Sequence, residues 1–368
     1  GSLYNEEGQL VALDSVFNSL KNLDNKVLAK YAASFTGNPT FRQKAYDWVL
    51  YGNSHLEHEV VATPGGTGAV SMTIQECLDE GQTVILPEIA WGSYALMAQM
   101  HNLEMAKYSL FEGDHFNIAS FKETCLEAMK KQNKLVIVIN DPCHNPTGYS
   151  LTHEEWDEVI TFLNECSKTH AVVLLNDIAY IDFSSRQKEA KTYFGQFDKI
   201  SDNVIVVVSF SLSKSMTSYG LRCGAAIILG QKKESVNQVK IVFEKNARAT
   251  WSKINNGAME TFVDVLDNHG EEYDQERLKY VHLLKERGDI FTTEADEVGL
   301  KYYPYKEGFF VTLAMDNETR DKYHEALMAN NIFTVKVNLG IRVAICSLSV
   351  EKTKGLAKKM KDILDTIQ

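Results

Sequence analysis

Val204-Ile205-Val206-Val207-Val208-Ser209-Phe210-Ser211-Leu212-Ser213-Lys214 is the stretch on which the fold turns. Five β-branched residues in a row predict a strand buried on both faces, the kind found in the middle of a parallel sheet. That strand runs into serines and then a lysine, a residue that seldom goes inside unless it is paired or chemically used. Two readings follow. Either Lys214 is a salt-bridged structural lysine, or its amine is a nucleophile that forms a Schiff base with a carbonyl.

Outward from this strand, short apolar runs alternate with amphipathic helical stretches. Strands are expected at Thr83–Pro87, Leu135–Asn140, Val172–Asn176, Val204–Phe210 and Ala225–Leu229, with helical patterns such as Thr152–Cys166 between them. This alternation predicts crossover units and a mostly parallel α/β sheet covered on both faces. A polar helical stretch from Lys232 to Leu284 leads away from it. Alternating segments at Phe309–Ala314, Phe333–Val337 and Ile341–Cys346 then precede an amphipathic helix from Val350, so the second half reads as a smaller α+β domain. The expected division is a large domain over 31–270, with 1–30 and 271–368 forming the small one.

Composition narrows the function. The chain has 368 residues, 44% hydrophobic and 24% charged, with a net charge of −11. A strongly negative chain argues against nucleic acid, whose backbone requires a basic surface. No apolar run approaches the roughly 18 residues of a membrane span, and no signal peptide is visible. The six cysteines are scattered without Cys-x-x-Cys spacing and the ten histidines do not cluster as metal ligands. Reduced thiols, a cytoplasmic location and no metal centre are therefore expected.

Polar residues gather at the strand ends, where open α/β sheets bind their ligands. Thr63-Pro64-Gly65-Gly66-Thr67-Gly68-Ala69, ahead of a helical pattern over Val70–Leu78, is either an ordinary glycine turn or a cradle of backbone amides for an anion. Asp177 and Tyr180, in Asn176-Asp177-Ile178-Ala179-Tyr180, are either a cap for the next element or a carboxylate and a phenol facing a ligand. Asn145, in Asn145-Pro146-Thr147-Gly148, is a turn former or a hydrogen-bond donor. Trp91 is a core residue or a stacking platform. Arg342, in Gly340-Ile341-Arg342-Val343, pairs across a strand edge or grips a carboxylate. Arg248 is a surface-helix arginine or a second carboxylate ligand.

The order and spacing of Lys214, Arg222, Arg248 and Arg342, taken with these motifs, resemble the class I aminotransferases. These are pyridoxal-phosphate enzymes of fold type I, and the aspartate/aromatic branch is the most similar. The resemblance covers nearly the whole chain and implies a mostly parallel seven-stranded sheet. It implies that Lys214 holds pyridoxal 5'-phosphate as a Schiff base and shuttles a proton at the substrate Cα. Asp177 would pair with the ring nitrogen, and Asn145 and Tyr180 would donate to the ring's phenolic oxygen. Gly66, Thr67, Ser211, Ser213 and Arg222 would surround the phosphate, and Trp91 would stack on the ring. Arg342 would take the substrate α-carboxylate, near which Gly1 falls. Arg248 and Tyr31 resemble residues that a neighbouring subunit lends across a homodimer interface, to the distal carboxylate and to the phosphate respectively. Lys253-Ile254-Asn255-Asn256-Gly257 departs from the Asn-Pro-Pro-x-His-Gly usual after that arginine. Tyr94 and Asn140 stand where histidines often support the aspartate.

The implied activity is transfer of an amino group from an L-amino acid, aspartate or an aromatic one favoured, to a 2-oxo acid such as 2-oxoglutarate. A lyase or decarboxylase of the same fold, and a non-catalytic amino-acid-sensing domain, are the alternatives.

Overall fold

The computed structural model describes residues 1–367. Seven strands form the central sheet: β1 (Glu57–Thr63), β2 (Thr83–Pro87), β3 (Glu104–Tyr108), β4 (Lys134–Asn140), β5 (Ala171–Asp177), β6 (Val204–Ser211) and β7 (Gly224–Gly230). Their order across the sheet is β1-β7-β6-β5-β4-β2-β3. The β4–β5, β5–β6, β2–β4 and β2–β3 pairs are parallel, while β7 runs antiparallel to both β6 and β1. The α/β class and the mostly parallel sheet expected from the sequence are therefore found. Every residue of β6 and β7 is buried, in keeping with their unbroken apolar runs.

The strands at the two edges, β1 and β3, carry Glu57, His58 and Glu59 and Glu104 and Lys107. Charges on an edge strand discourage pairing with another chain. They also mask the apolar pattern, which is why neither strand was expected from the sequence.

Helix α1 (Gly65–Cys77) starts five residues ahead of its expected apolar pattern, so the glycine-rich run forms its first turn. Gly65 sits at φ +70°, and a Cβ there would lie 2.6 Å from an Arg222 guanidinium nitrogen. Only glycine admits both the left-handed backbone and the close arginine. Helix α2 (His153–Cys166) opens with a capping box: Thr152 accepts from the Glu155 amide and Glu155 returns a bond to the Thr152 amide. The polar stretch expected as one helical run is instead three helices, α3 (Lys233–Thr250), α4 (Asn256–Asn268) and α5 (Gly270–Val298), the last running well past Leu284.

A second sheet is three-stranded and antiparallel, with β10 (Gly340–Val343) between β8 (Val311–Ala314) and β9 (Val335–Val337). It packs through Leu313 and Ile341 against Phe291, Tyr323 and Met360. Helix α5 serves both cores: Tyr273, Val281 and Leu284 join the large one, and Phe291 and Ala295 the small one.

The sheet's carboxyl ends are fixed by close backbone approach. A Cβ on Gly224 would lie 2.4 Å from the Phe210 carbonyl oxygen and 2.7 Å from the Gly65 carbonyl carbon. Gly224→Ala is expected to lower stability in urea by about 1–3 kcal/mol, as overpacking does, and to weaken anion binding at the adjoining turn. A variant with the wild-type urea midpoint would contradict this close fit.

Candidate active site

The ends of β4, β5 and β6, the first turn of α1 and strand β10 meet around a cavity of about 370 Å³. Gly66, Thr67, Trp91, Asn145, Asp177, Tyr180, Ser211, Ser213, Lys214, Arg222, Arg342 and Gly1 all line it. With Tyr94 and Asn140, fourteen residues named from the sequence are thus brought to one place. Arg248 and Tyr31 are not: neither lines the cavity, and both are exposed.

Lys214 lies on the short helical turn Leu212–Ser215, which Ser211 caps by accepting from the Ser213 amide at 3.2 Å. The Lys214 Nζ donates to the Gly1 carbonyl oxygen at 2.5 Å and rests over the rings of Tyr219 and Tyr180. No carboxylate pairs with it among the described residues, so the structural salt-bridge reading fails. Burial, with Arg342 and Arg222 nearby, lowers its pKa to about 8. An amine so poised is partly neutral at physiological pH and able to act as a nucleophile or base.

Asp177, buried at the end of β5, accepts from the Tyr94 hydroxyl at 2.5 Å and from the Ala179 amide at 3.1 Å. Burial raises its pKa, against the pull of those two bonds. Among the described residues no cation pairs with it. A buried carboxylate on a cavity wall without a counter-charge suits a cationic ring nitrogen. Asn140 orients its neighbourhood from β4, donating to the Asp177 carbonyl at 2.8 Å and accepting from the Asn145 amide at 2.7 Å.

Arg222, at φ +52°, donates from Nη1 to Ser213 Oγ and to the Tyr219 carbonyl, both at 2.8 Å. With the first turn of α1 opposite, it makes a pocket of planar donors and helix amides suited to a phosphate. Arg342 donates from Nη1 to Asn145 Oδ1 at 2.9 Å and stacks over Phe310 at 4.3 Å, while its buried Nε has no partner. Burial lowers its pKa, and a carboxylate would relieve that cost. Asn145 also reaches the Tyr180 hydroxyl at 3.5 Å, so one amide spans the arginine and the phenol.

Trp91 and Tyr94 meet edge to face at 5.5 Å, so Tyr94 touches both the stacking ring and the aspartate. Phe309 and Phe310 pack against Tyr180, with ring centres 4.9 and 5.7 Å away. Their loop is anchored by buried Glu307, which accepts from Ser150 and Ser184 and pairs with Arg186 at 2.9 Å. Tyr219, which sequence reasoning missed, lines the cavity and accepts from the Leu3 amide at 3.0 Å. Its place five residues after Lys214 was the only signal available.

These groups fit pyridoxal phosphate: an amine, an uncompensated carboxylate, an aromatic platform and a phosphate-sized cluster of donors share one cavity. The Lys214 pKa has a further consequence. Because it lies below the ordinary 10.5, the folded protein binds fewer protons than the unfolded chain between pH 8 and 10.5. The contribution of Lys214 to stability without cofactor therefore rises with pH across that window, while the cysteines, whose pKa values burial raises, pull the other way. Between pH 7.5 and 10 the urea midpoint of the wild type is expected to change more favourably than that of Lys214→Met. Equal changes would contradict the lowered pKa.

Residues 2–360 match the family model for aminotransferase class I and II. The chain is 22% identical over 379 residues to the aromatic-amino-acid aminotransferase of Escherichia coli (strain K12), covering 99% of this chain and 92% of that one. A crystal structure of an aminotransferase from Anaerococcus prevotii superimposes with a TM-score of 0.95 at 34% identity, over 98% of this chain and 89% of that one. The aromatic-amino-acid aminotransferase of Burkholderia pseudomallei, solved covalently bound to pyridoxal phosphate, shares the fold with a TM-score of 0.79 at 20% identity, over 99% of this chain and 91% of that one. The cavity, the sheet and these likenesses agree, and the chain belongs to the class I and II aminotransferases as a pyridoxal-phosphate-dependent aminotransferase of fold type I.

Proposed function

We propose that the protein acts as a homodimer that moves the amino group of an L-amino acid, aspartate or an aromatic one, to a 2-oxo acid such as 2-oxoglutarate in two alternating half-reactions. The observation that carries this reading is the convergence of Lys214, Asp177 and Arg342 on one cavity. Pyridoxal phosphate, when bound, supplies the carbonyl that condenses with an amino group and the ring that accepts the electron pair released at Cα.

The chain's own residues do the rest. Arg222, Ser211, Ser213 and the amides of Gly66 and Thr67 would hold the phosphate. Asp177 would face the ring nitrogen and favour its protonated form, while Tyr94 and the Ala179 amide favour the charged form of Asp177 against the effect of burial. Asn145 and Tyr180 would donate to the ring hydroxyl, and Trp91 would stack on the ring face. Arg342 takes the α-carboxylate with a planar fork already fixed by Asn145, near the carbonyl of Gly1. The Lys214 Nζ would take up the proton at the substrate Cα, and an amine with pKa about 8 is matched to that transfer.

In the proposed dimer, Arg248 and Tyr31 serve the neighbour's cavity. Tyr31 is 82% exposed, and among the described residues the Arg248 side chain hydrogen-bonds only to Ser252 Oγ, at 2.8 Å. Both side chains are therefore available to a second copy. In a desolvated pocket Arg248 pairs with the distal carboxylate of aspartate or 2-oxoglutarate, whereas an aromatic side chain needs no such partner.

Arg248→Ala is expected to lower kcat/KM for aspartate by about 100-fold, the scale of a lost buried charge pair, while changing phenylalanine by less than about threefold. Arg342→Ala is expected to depress both. Equal losses for the two substrates in Arg248→Ala would contradict the assigned role.

A further inference from the structure

The last turn of α3 and the turn Thr250-Trp251-Ser252-Lys253 that follows bring two cations, Arg248 and Lys253, over two aromatic rings. The Arg248 guanidinium lies 4.9 Å from the Phe35 ring centre. The Lys253 Nζ lies 5.4 Å from that same ring and 5.6 Å from the ring of Tyr31. Phe35 thus serves both positive charges, and the exposed Tyr31 flanks the second.

Like charges brought together repel, and an acidic neighbour is the usual remedy. This chain has 49 acidic residues against 38 basic ones, yet among the described residues neither Arg248 nor Lys253 makes an ion pair. Aromatic faces hold a cation without neutralising it, so the patch stays positive. A helix C-terminus favours cations in general, which accounts for tolerance of Arg248 but not for Lys253, which lies past the helix end. The backbone is also held in an uncommon state there: Ser252 has φ +67° and donates to the Ala247 carbonyl at 2.8 Å. That left-handed residue ends the helix as a C-terminal cap and turns Lys253 back towards Tyr31 and Phe35.

We infer that Lys253 is a specificity-determining residue of the shared active site, meeting an anionic group of the ligand bound in the neighbouring protomer. The inference rests on the dimer proposed above and adds to it a second cation beside Arg248. Two sources offer the anion: the cofactor phosphate, towards which Tyr31 is assigned, and the distal carboxylate of a dicarboxylate substrate, assigned to Arg248. The chemistry is the same for both, a desolvated oxyanion meeting an ammonium.

The test uses the Lys253→Gln and Lys253→Arg variants of the whole protein, with sedimentation velocity to confirm the assembly. Affinities of the cofactor-free protein for pyridoxal phosphate and for pyridoxal distinguish the phosphate. Affinities of the cofactor-loaded protein for succinate and for propionate distinguish the distal carboxylate. Lys253→Gln is expected to weaken either pyridoxal phosphate or succinate by about tenfold, as loss of one charge-assisted contact does. The matching pyridoxal or propionate affinity should be unchanged, Lys253→Arg should restore the loss, and the difference should shrink in high salt. Whichever anionic ligand is weakened identifies the source. Unchanged affinity for both in an intact dimer, with Arg248→Ala still selective, would overturn the role of Lys253 and leave the proposed function standing. A monomeric protein in which Arg248→Ala is also without effect would overturn both.

Discussion

Burial of charge without internal compensation is the constraint on which the rest of this structure depends. Among the described residues, buried Asp177 has a phenol and an amide for partners and no cation. Half-buried Lys214 has a carbonyl and aromatic faces and, among the same residues, no carboxylate. The Nε of Arg342 is buried and unpartnered. Each is costly in a closed protein interior, and a stable fold tolerates the set because the surrounding framework is rigid. That framework is the fully buried β6 and β7, the close backbone approach at Gly224, and the core that β4 and β5 share. A zwitterionic cofactor and an amino acid carry the complementary charges, so the ligand completes an electrostatic arrangement that the protein leaves open.

Neighbouring groups set the character of these charges. Asp177 is drawn towards its neutral form by burial and towards its charged form by Tyr94 and the Ala179 amide. Tyr94 is itself a neutral donor, its phenol pushed up by burial and by the carboxylate. It also packs edge-on against Trp91, so a single ring fixes the direction of the carboxylate and the tilt of the stacking platform. Asn140 and Asn145 do similar work on the other side, linking the end of β5 to Arg342 through side-chain amides. The site is thus a chain of neutral dipoles that orient a few charges, which is how such a site keeps its groups reactive.

Much of this was legible in the sequence for physical reasons. A run of β-branched residues can only be a buried strand, and polar residues immediately after it fall at the sheet's carboxyl edge, so Lys214, Asp177 and Asn145 were found from pattern and position. The edge strands β1 and β3 were not, because the charges that protect an edge erase the apolar signal. Tyr219 and Phe310 were missed because an aromatic in a loop looks like any core residue until the loop is placed. The break of the polar helical stretch at Ser252 left little trace, since a left-handed residue that is not glycine carries no composition signal. Arg248 and Tyr31 were named from resemblance, and the protomer alone leaves them apart from the cavity.

The central claim is that Lys214 and Asp177 together make this cavity a transaminating one, and the absorbance spectrum of the protein with pyridoxal phosphate tests it most directly. The account predicts a band between roughly 360 and 430 nm that is absent in Lys214→Ala. Adding L-aspartate or L-phenylalanine should replace that band with one at shorter wavelength, and 2-oxoglutarate should then restore it. A band that survives in Lys214→Ala, or one that no amino acid shifts, would contradict the account.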